Sequence, residues 1–239
     1  MKVTLSPCFI LHQRPYRETS LLVDVFSREH GRLRLVAKGA RNSKKWPAAL
    51  FQTARNLNVS WSGKGELATL TDIEATRTAF DINGSCVMAV FYMNELLVRL
   101  LHSHEPHAEL FEAYVMALTR LEHGESESVT LRYFERQLLD SIGYGLVLDH
   151  DIQDGCEISP EKEYHYFINQ GAQLDAGGAG TSIRISGATL LALADESLDE
   201  NTNTVSLKNL MRSTLGTYLG DEPLKSRELY RQYSQFAPG

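Results

Sequence analysis

The sequence predicts an α+β protein of more than one domain, in which a small closed β-barrel precedes a helical domain. Apolar and polar residues alternate over short segments of the first 80 residues, and apolar residues then recur at helical spacing. The charge changes at the same place. Residues 1–80 carry 13 Lys and Arg against 6 Asp and Glu, whereas residues 81–239 carry 11 against 24. We therefore predict domains at 1–80 and 81–239.

Five short strands account for the first domain. The first begins at Phe9–Leu11 and ends before a loop at Arg14–Glu18, because Pro15 keeps the preceding residue out of helical geometry. The other predicted strands are Ser20–Ser27, the strand beginning at Arg32, Phe51–Trp61 and Glu66–Ile73. Five antiparallel strands in so short a segment favour a closed barrel over an open sheet, because closure removes exposed edges. The five-stranded OB fold is the candidate.

Six helices account for the second domain. Apolar spacing predicts them at residues 85–103, 109–122, 129–142, 188–195, 206–219 and 223–236. Between the third and fourth helices, residues 150–185 are irregular, with a weak strand at Tyr164–Ile168. We expect this segment to be a small insertion with one hairpin.

Composition and motifs argue against several classes of protein. The chain of 239 residues has a net charge of −6 and three well-separated cysteines, with no Cys-x-x-Cys pair, no signal peptide pattern and no membrane span. We expect a cytoplasmic, nucleoid-associated protein without cofactor or metal. His102, His104 and His107 lack the spacing of a metal site, and no catalytic motif occurs. The sequence therefore predicts a binding protein and not an enzyme.

A row of cations marks the predicted barrel. Arg32, Arg34 and Lys38 share one face of a strand whose other face is apolar, and the cations continue into the loop that follows. Such a row suits the phosphates of a nucleic acid, although it also fits a solvated strand face. The DNA-binding candidates are Arg14, Arg32, Arg34, Lys38, Arg41, Lys44, Lys45, Trp46 and Lys64, with Arg17 and Arg55 as further cations. Trp61 alternates with core positions, whereas Trp46 is compatible with stacking on a base.

A second set of cations lies in the acidic helical domain. Arg132 and Arg136 are four residues apart on one predicted helix, as are Lys208 and Arg212 on another. If the helices are neighbours, the cations could flank an apolar groove for an acidic tail that ends in a hydrophobic residue. The alternative is a set of ion pairs with Glu135 and Glu127.

Several runs of residues resemble the RecO family of bacterial DNA repair proteins, in the form found in gammaproteobacteria. The runs are Leu11–Leu21, Gly31–Arg41, Asn94–Leu97, Leu131–Glu135, Gly143–Gly145 and Pro223–Leu229. They occur in family order from one end of the chain to the other, and only residues 150–205 match poorly.

The resemblance implies an OB barrel joined to a helical domain, and a recombination mediator without catalytic turnover. Members bind single- and double-stranded DNA, anneal complementary strands, and work with RecR to load RecA onto DNA coated by single-stranded DNA-binding protein (SSB). The family's basic barrel surface matches Arg32, Arg34, Lys38 and Arg41. The acidic SSB tail is held in this family at positions that match Arg132 and Lys208.

One departure from the family and two rival functions complete the predictions. Some relatives hold zinc with four cysteines in the region that matches 150–180, where this chain has only Cys156, so we predict no zinc. The first rival is a protein-interaction scaffold whose barrel binds a protein partner. The second is a phosphodiesterase that uses His102–His107.

Overall fold

The structure, a computed structural model, describes residues 2–42, 46–63, 65–76, 79–174, 181–199 and 204–236. It divides into two compact units, one formed by Met1–His123 with Pro223–Gly239 and the other by Gly124–Glu222. The division at residue 80 that the sequence suggests stays a prediction. No helix among the described residues is long and apolar enough to cross a membrane.

A closed five-stranded barrel forms the first part of the first unit, as predicted. Its strands are β1 (Lys2–Tyr16), β2 (Ser20–Ser27), β3 (Gly31–Ala37), β4 (Leu57–Ser62) and β5 (Ala68–Ala75). They are paired in the order β1-β2-β3-β5-β4, and β4 pairs with β1 to close the barrel. All pairs are antiparallel except β3 with β5, which run parallel at Leu35–Ala68 and Val36–Thr69. A short 3-10 helix, Ala48–Phe51, lies between β3 and β4.

Several of the predicted strand bounds are wrong, and the first strand already begins at Lys2 and not at Phe9. The first strand extends through Pro15, which pairs with Leu21, because the fixed φ of proline is compatible with extended backbone as well as with a loop. The run from Phe51 is not one strand, since β4 begins only at Leu57. Phe51 instead belongs to the 3-10 helix and is buried in the barrel core.

Aromatic side chains join the outside of the barrel to helices α1 (Cys86–Leu100) and α2 (Ala108–Glu122). Phe9 on β1 contacts Phe111 and Tyr114 of α2, with ring centroids 5.4 and 5.0 Å apart, and Phe26 on β2 also meets Phe111. The buried Asn94 of α1 donates to the Leu11 carbonyl and accepts from the Tyr114 hydroxyl. The outer face of β1 and β2 is therefore a second, aromatic core.

Glu95 of α1 fixes the start of the last helix, α6 (Lys225–Phe236). Its two carboxylate oxygens accept hydrogen bonds from the backbone N–H of Lys225 and from both the N–H and the hydroxyl of Ser226, at 2.6–2.9 Å. Burial opposes the charged form of Glu95, but the hydrogen bonds from Ser226 and Lys225 outweigh it, and the pKa of Glu95 lies below its ordinary value. The Glu95 carboxylate lies on α1 and caps the N-terminus of α6, as an N-cap side chain would.

We expect Glu95→Gln to lower the free energy of unfolding by about 1–2 kcal/mol near neutral pH, because a neutral amide accepts these hydrogen bonds more weakly. Since the folded-state pKa is depressed, the charged form stabilises the fold above the ordinary value of 4.5, and this contribution is lost as the pH falls through the folded value. Urea unfolding at several pH values checks this. The exposed Glu66, changed to Gln, is the control, and an equal loss at every pH would contradict the role of the charge.

The second unit contains helices and a small sheet. Its helices are α3 (Glu127–Ser141), α4 (Gly187–Ala194) and α5 (Thr204–Leu219), and α3 packs against α5. The segment predicted to hold one hairpin contains three antiparallel strands, β6 (Glu163–Phe167), β7 (Gly171–Gln173) and β8 (Ile183–Ser186), in the order β7-β6-β8. Before them, the buried Asp151 accepts hydrogen bonds from the N–H groups of Gln153 and Leu174 and so organises the loop.

Candidate nucleic-acid interface

A buried carboxylate organises the cationic face of the barrel. Leu33 and Leu35 of β3 point into the core, so Arg32 and Arg34 lie on the outer face. Asp24 of β2 lies between them, and its Oδ1 is 3.6 Å from an Arg32 nitrogen and 3.0 Å from the Arg34 Nε. The Asp24 side chain is only 5% exposed, so water does little to stabilise its charge. The two guanidinium groups compensate this charge instead.

The Arg32 side chain is used mainly in contacts within the protein. Its Nε donates to the Leu101 carbonyl at 3.0 Å and another guanidinium nitrogen donates to the Ser103 hydroxyl at 2.9 Å, just beyond α1. The His104 N–H donates to the Arg32 carbonyl. Burial lowers the pKa of the Arg32 guanidinium while Asp24 raises it, and 15% of the side chain is exposed. Arg32 therefore connects the barrel to the end of α1 and presents little of its charge to a ligand.

Arg34 has an intermediate position. Its Nε is held by Asp24, but 40% of the side chain is exposed. Arginine carries five N–H donors, so the part that faces solvent still has donors for a phosphate. Arg34 is thus the only one of the two strand arginines with substantial free surface.

Four exposed cations lie at one end of the barrel. We call Arg14, Arg17, Lys38 and Arg41 the turn-end cations. The β1–β2 turn and the loop after β3 are joined there, because the Arg41 N–H donates to the Thr19 carbonyl and its guanidinium donates to the Glu18 carbonyl. Strand register places Arg14 opposite Leu22, which in turn lies opposite Val36. Arg17 has a positive φ of 53° in the turn, and its guanidinium lies over the neighbouring Tyr16 ring.

The other barrel candidates are three lysines and Trp46. Lys44, Lys45 and Lys64 lie outside the described residues. Trp46 is 8% exposed and meets Phe51 edge-on in the barrel core, so the suggestion that it stacks on a base is wrong for this conformation. Inside the barrel the indole ring buries a large apolar area, and this burial stabilises the fold. Trp61 is in the core, as expected.

The four candidate cations of the second unit divide into a largely buried pair and an exposed pair. Arg132 has a side chain 7% exposed and forms an ion pair with Glu135 at 2.9 Å, and its Nε has no hydrogen-bond partner among the described residues. Arg136 is 17% exposed and pairs with Glu196 and, at 3.8 Å, with Asp140. The ion-pair interpretation is therefore correct only for Arg132 with Glu135, and this pair is buried and not on the surface. The partners found for Arg136 are not the predicted ones. Lys208 and Arg212 are exposed on α5.

His102, His104 and His107 do not form a metal site in the part of the chain that the structure describes. No group of three or more His, Cys, Asp or Glu side chains there could hold a metal ion. His104 has a positive φ of 67°, and its Nε2 lies 3.1 Å from the Gly65 carbonyl. This contact ties the segment after α1 to the β4–β5 turn, and it gives His104 a structural role.

Comparison with known proteins settles the family. The model described as "Recombination protein O N terminal" matches residues 1–79, and the one described as "Recombination protein O C terminal" matches residues 84–228. The chain belongs to the RecO family. It is 42% identical to the DNA repair protein RecO of Methylococcus capsulatus over 233 residues, 98% of this chain and 95% of the relative.

Other RecO proteins are similarly close. The DNA repair protein RecO of Coxiella burnetii is 40% identical over 95% of this chain and 98% of its own length. That of Nitrosospira multiformis is 39% identical over 96% of this chain and 95% of its own length. The resemblance inferred from Gly31–Arg41 and the other runs is confirmed, and the chain is a DNA repair protein of the RecO family.

Proposed function

We propose that this RecO family member is a recombination mediator that binds single- and double-stranded DNA through its barrel. In this proposal it anneals complementary strands and, together with RecR, helps to load RecA onto DNA coated by SSB. It acts by binding and without catalysis, in the cytoplasm at the nucleoid. The observation that carries the proposal is the set of exposed turn-end cations on the barrel of a DNA repair family.

The charge of the two compact units supports DNA binding by the first. Met1–His123 with Pro223–Gly239 contains 18 Lys and Arg against 13 Asp and Glu, a net charge of +5. Gly124–Glu222 contains 6 against 17, a net charge of −11. A phosphate backbone is attracted to the first and repelled by the second. Two strands whose phosphates are neutralised on the barrel repel each other less, which favours their pairing.

A second surface is proposed for recruitment. Lys208 and Arg212 are the exposed cations of α5, and α5 packs against the helix that carries Arg132 and Arg136. We infer that this pair of helices receives the acidic, hydrophobic-ended tail of SSB. In this proposal Lys208 and Arg212 meet the carboxylates of the tail, whereas Arg132 acts mainly by holding α3 through its ion pair with Glu135.

The DNA surface is tested with Arg14→Gln/Lys38→Gln, two turn-end cations without a hydrogen bond or ion pair among those described. We expect at least about a fivefold loss of affinity for a labelled single-stranded oligonucleotide. The slope of log K against log salt should fall by about 1.4, because each lost phosphate contact removes roughly 0.7 on single strands. Fluorescence anisotropy at several salt concentrations measures both.

The control is Lys2→Gln/Arg28→Gln, which removes the same charge from exposed positions away from the turn-end cations. Arg28 pairs with Glu112, but both side chains are exposed, so the loss of this pair costs little stability. It should leave the salt slope almost unchanged. Arg32 is not substituted, because the loss of its contacts would alter the fold. An equal effect of both double variants would refute a localised DNA site, and no salt dependence at all would favour a scaffold whose barrel binds a protein. Binding of an SSB tail peptide should survive Arg14→Gln/Lys38→Gln and be lost in Lys208→Gln/Arg212→Gln.

A further inference from the structure

An open cavity in the second unit has no part in the functions described above. It has a volume of about 460 Å³ and begins where α3 ends, at Gly143–Gly145. Leu146 and Val147 supply an apolar wall, and Asn169, Gln170 and Thr214 supply polar atoms. A cavity of this size accommodates a side chain of a partner or a small ligand.

Two stacked tyrosine rings line the cavity. The rings of Tyr144 and Tyr218 have centroids 3.9 Å apart and planes inclined by 23°. The Tyr218 hydroxyl donates to the Asn169 Oδ1 at 2.8 Å, which fixes the inner ring, and Asn169 has the left-handed φ of 62°. Tyr144 is 49% exposed. The stack is thus held from one side, while the outer ring stays open to a third planar group.

The electrostatic surroundings of the stack favour a cation. Gly143–Gly145 follow the end of α3, and Tyr218 lies in the last turn of α5, so the negative ends of two helix dipoles point towards the cavity. Neither helix has a basic residue in its last turn. The Asp140 carboxylate approaches Gly145 so closely that a Cβ there would lie 2.5 Å from its Oδ1, although Asp140 also pairs with Arg136.

We propose that this cavity binds the arginine side chain of a basic peptide segment in a partner protein. A guanidinium group is planar and stacks on a tyrosine ring, where its charge is attracted by the ring face. The side-chain oxygen of Gln170, in the wall of the cavity, can accept one of its N–H groups. The compact unit around the cavity has a net charge of −11, which attracts a basic segment and repels a nucleic acid backbone.

The probe is a blocked peptide of four glycines around a central arginine, and the matched probe replaces arginine by citrulline, which has the same shape without the charge. Full-length protein labelled with 3-fluorotyrosine is titrated with each, and the ¹⁹F resonance of Tyr218 is followed after assignment with Tyr218→Phe. We expect saturable shifts with the arginine peptide and at least fivefold weaker binding of the citrulline peptide.

Three variants locate the site. Tyr144→Leu should weaken arginine-peptide binding at least fivefold, because it removes the outer ring but keeps an apolar side chain at an exposed position. Tyr144→Phe should retain binding. Tyr230→Leu, at another exposed tyrosine on α6, should also retain it. If all three variants bind the arginine peptide equally well, the peptide is attracted by the net charge of the unit and not by a site at Tyr144. That result would overturn the proposal. Citrulline binding as strong as that of arginine, or a Tyr218 shift with an oligonucleotide but not with the peptide, would also overturn it.

Discussion

Gly31→Ala is expected to destabilise the first unit by more than about 4 kcal/mol, and to leave little folded protein. Gly31 has a φ of 67°, and a Cβ built there would lie 1.8 Å from the carbonyl oxygen of Glu105. The clash is with backbone and cannot be relieved by a rotamer change. Moving the Glu105 segment would also break the neighbouring contacts of Arg32 with Leu101 and Ser103. Circular dichroism and urea unfolding measure the loss.

Gly39→Ala provides the control, because it separates the conformational cost from the steric cost. Gly39 has a similar φ of 71°, but nothing lies within 4 Å of a Cβ built there. We expect it to lose only about 1–2 kcal/mol, the cost of placing alanine in the left-handed region. Equal effects of the two substitutions would show that the close approach of Glu105 does not limit residue 31.

The first of these glycines also shows why so much of the barrel could be predicted from the sequence. Gly31 follows a polar turn between two alternating segments, and that local pattern gave β2 its bounds, Ser20–Ser27, and placed β3 after it. The local pattern fails at Pro15, which predicts a loop but lies in β1, because proline excludes a helix but does not distinguish a strand from a loop. The parallel pairing of β3 with β5 depends on residues more than 30 positions apart, and no local pattern encodes it.

Asp24 is the residue that the sequence reasoning missed at the cationic face, and a signal for it was available. A tight turn that pairs Ser27 with Gly31 fixes the register of the hairpin, and this register places Asp24 opposite Arg34. An acidic residue opposite an arginine on an otherwise apolar strand face predicts an ion pair. The contacts of Arg32 with Leu101 and Ser103 span about 70 positions, so its structural role could not be found in the same way.

Trp46 and Arg132 are two further residues whose burial could not be predicted from the local sequence. The sequence predicts a ligand contact for each, because one is a tryptophan in a basic loop and the other is a cation in an acidic domain. The structure buries both. Burial depends on tertiary packing, and the type of residue in a local segment does not determine it. The exposed cations, which are the turn-end cations on the barrel and Lys208 and Arg212 on α5, stay the candidates for binding.

The buried pair of Arg132 and Glu135 leads to the second large effect, the loss expected in Glu135→Gln. Both side chains are at most 7% exposed, and their charged atoms are 2.9 Å apart. The substitution keeps the shape of the side chain but leaves the Arg132 charge buried without its carboxylate, which typically costs about 3–5 kcal/mol. The exposed pair of Glu163 and Arg184 is the matched control. Glu163→Gln in the same unit should cost less than about 1 kcal/mol in urea unfolding.

The double variant Arg132→Met/Glu135→Gln decides between a structural and a binding role for Arg132. It removes both charges, so part of the stability lost in Glu135→Gln should return, because no guanidinium is left buried without its carboxylate. A double variant that stays as unstable as Glu135→Gln would contradict this account of the pair. Once the double variant is folded, retained binding of the SSB tail peptide would assign recognition to Lys208 and Arg212. If binding is lost while the fold is recovered, the Arg132 charge itself contacts the tail, and the pair with Glu135 must open when the tail binds.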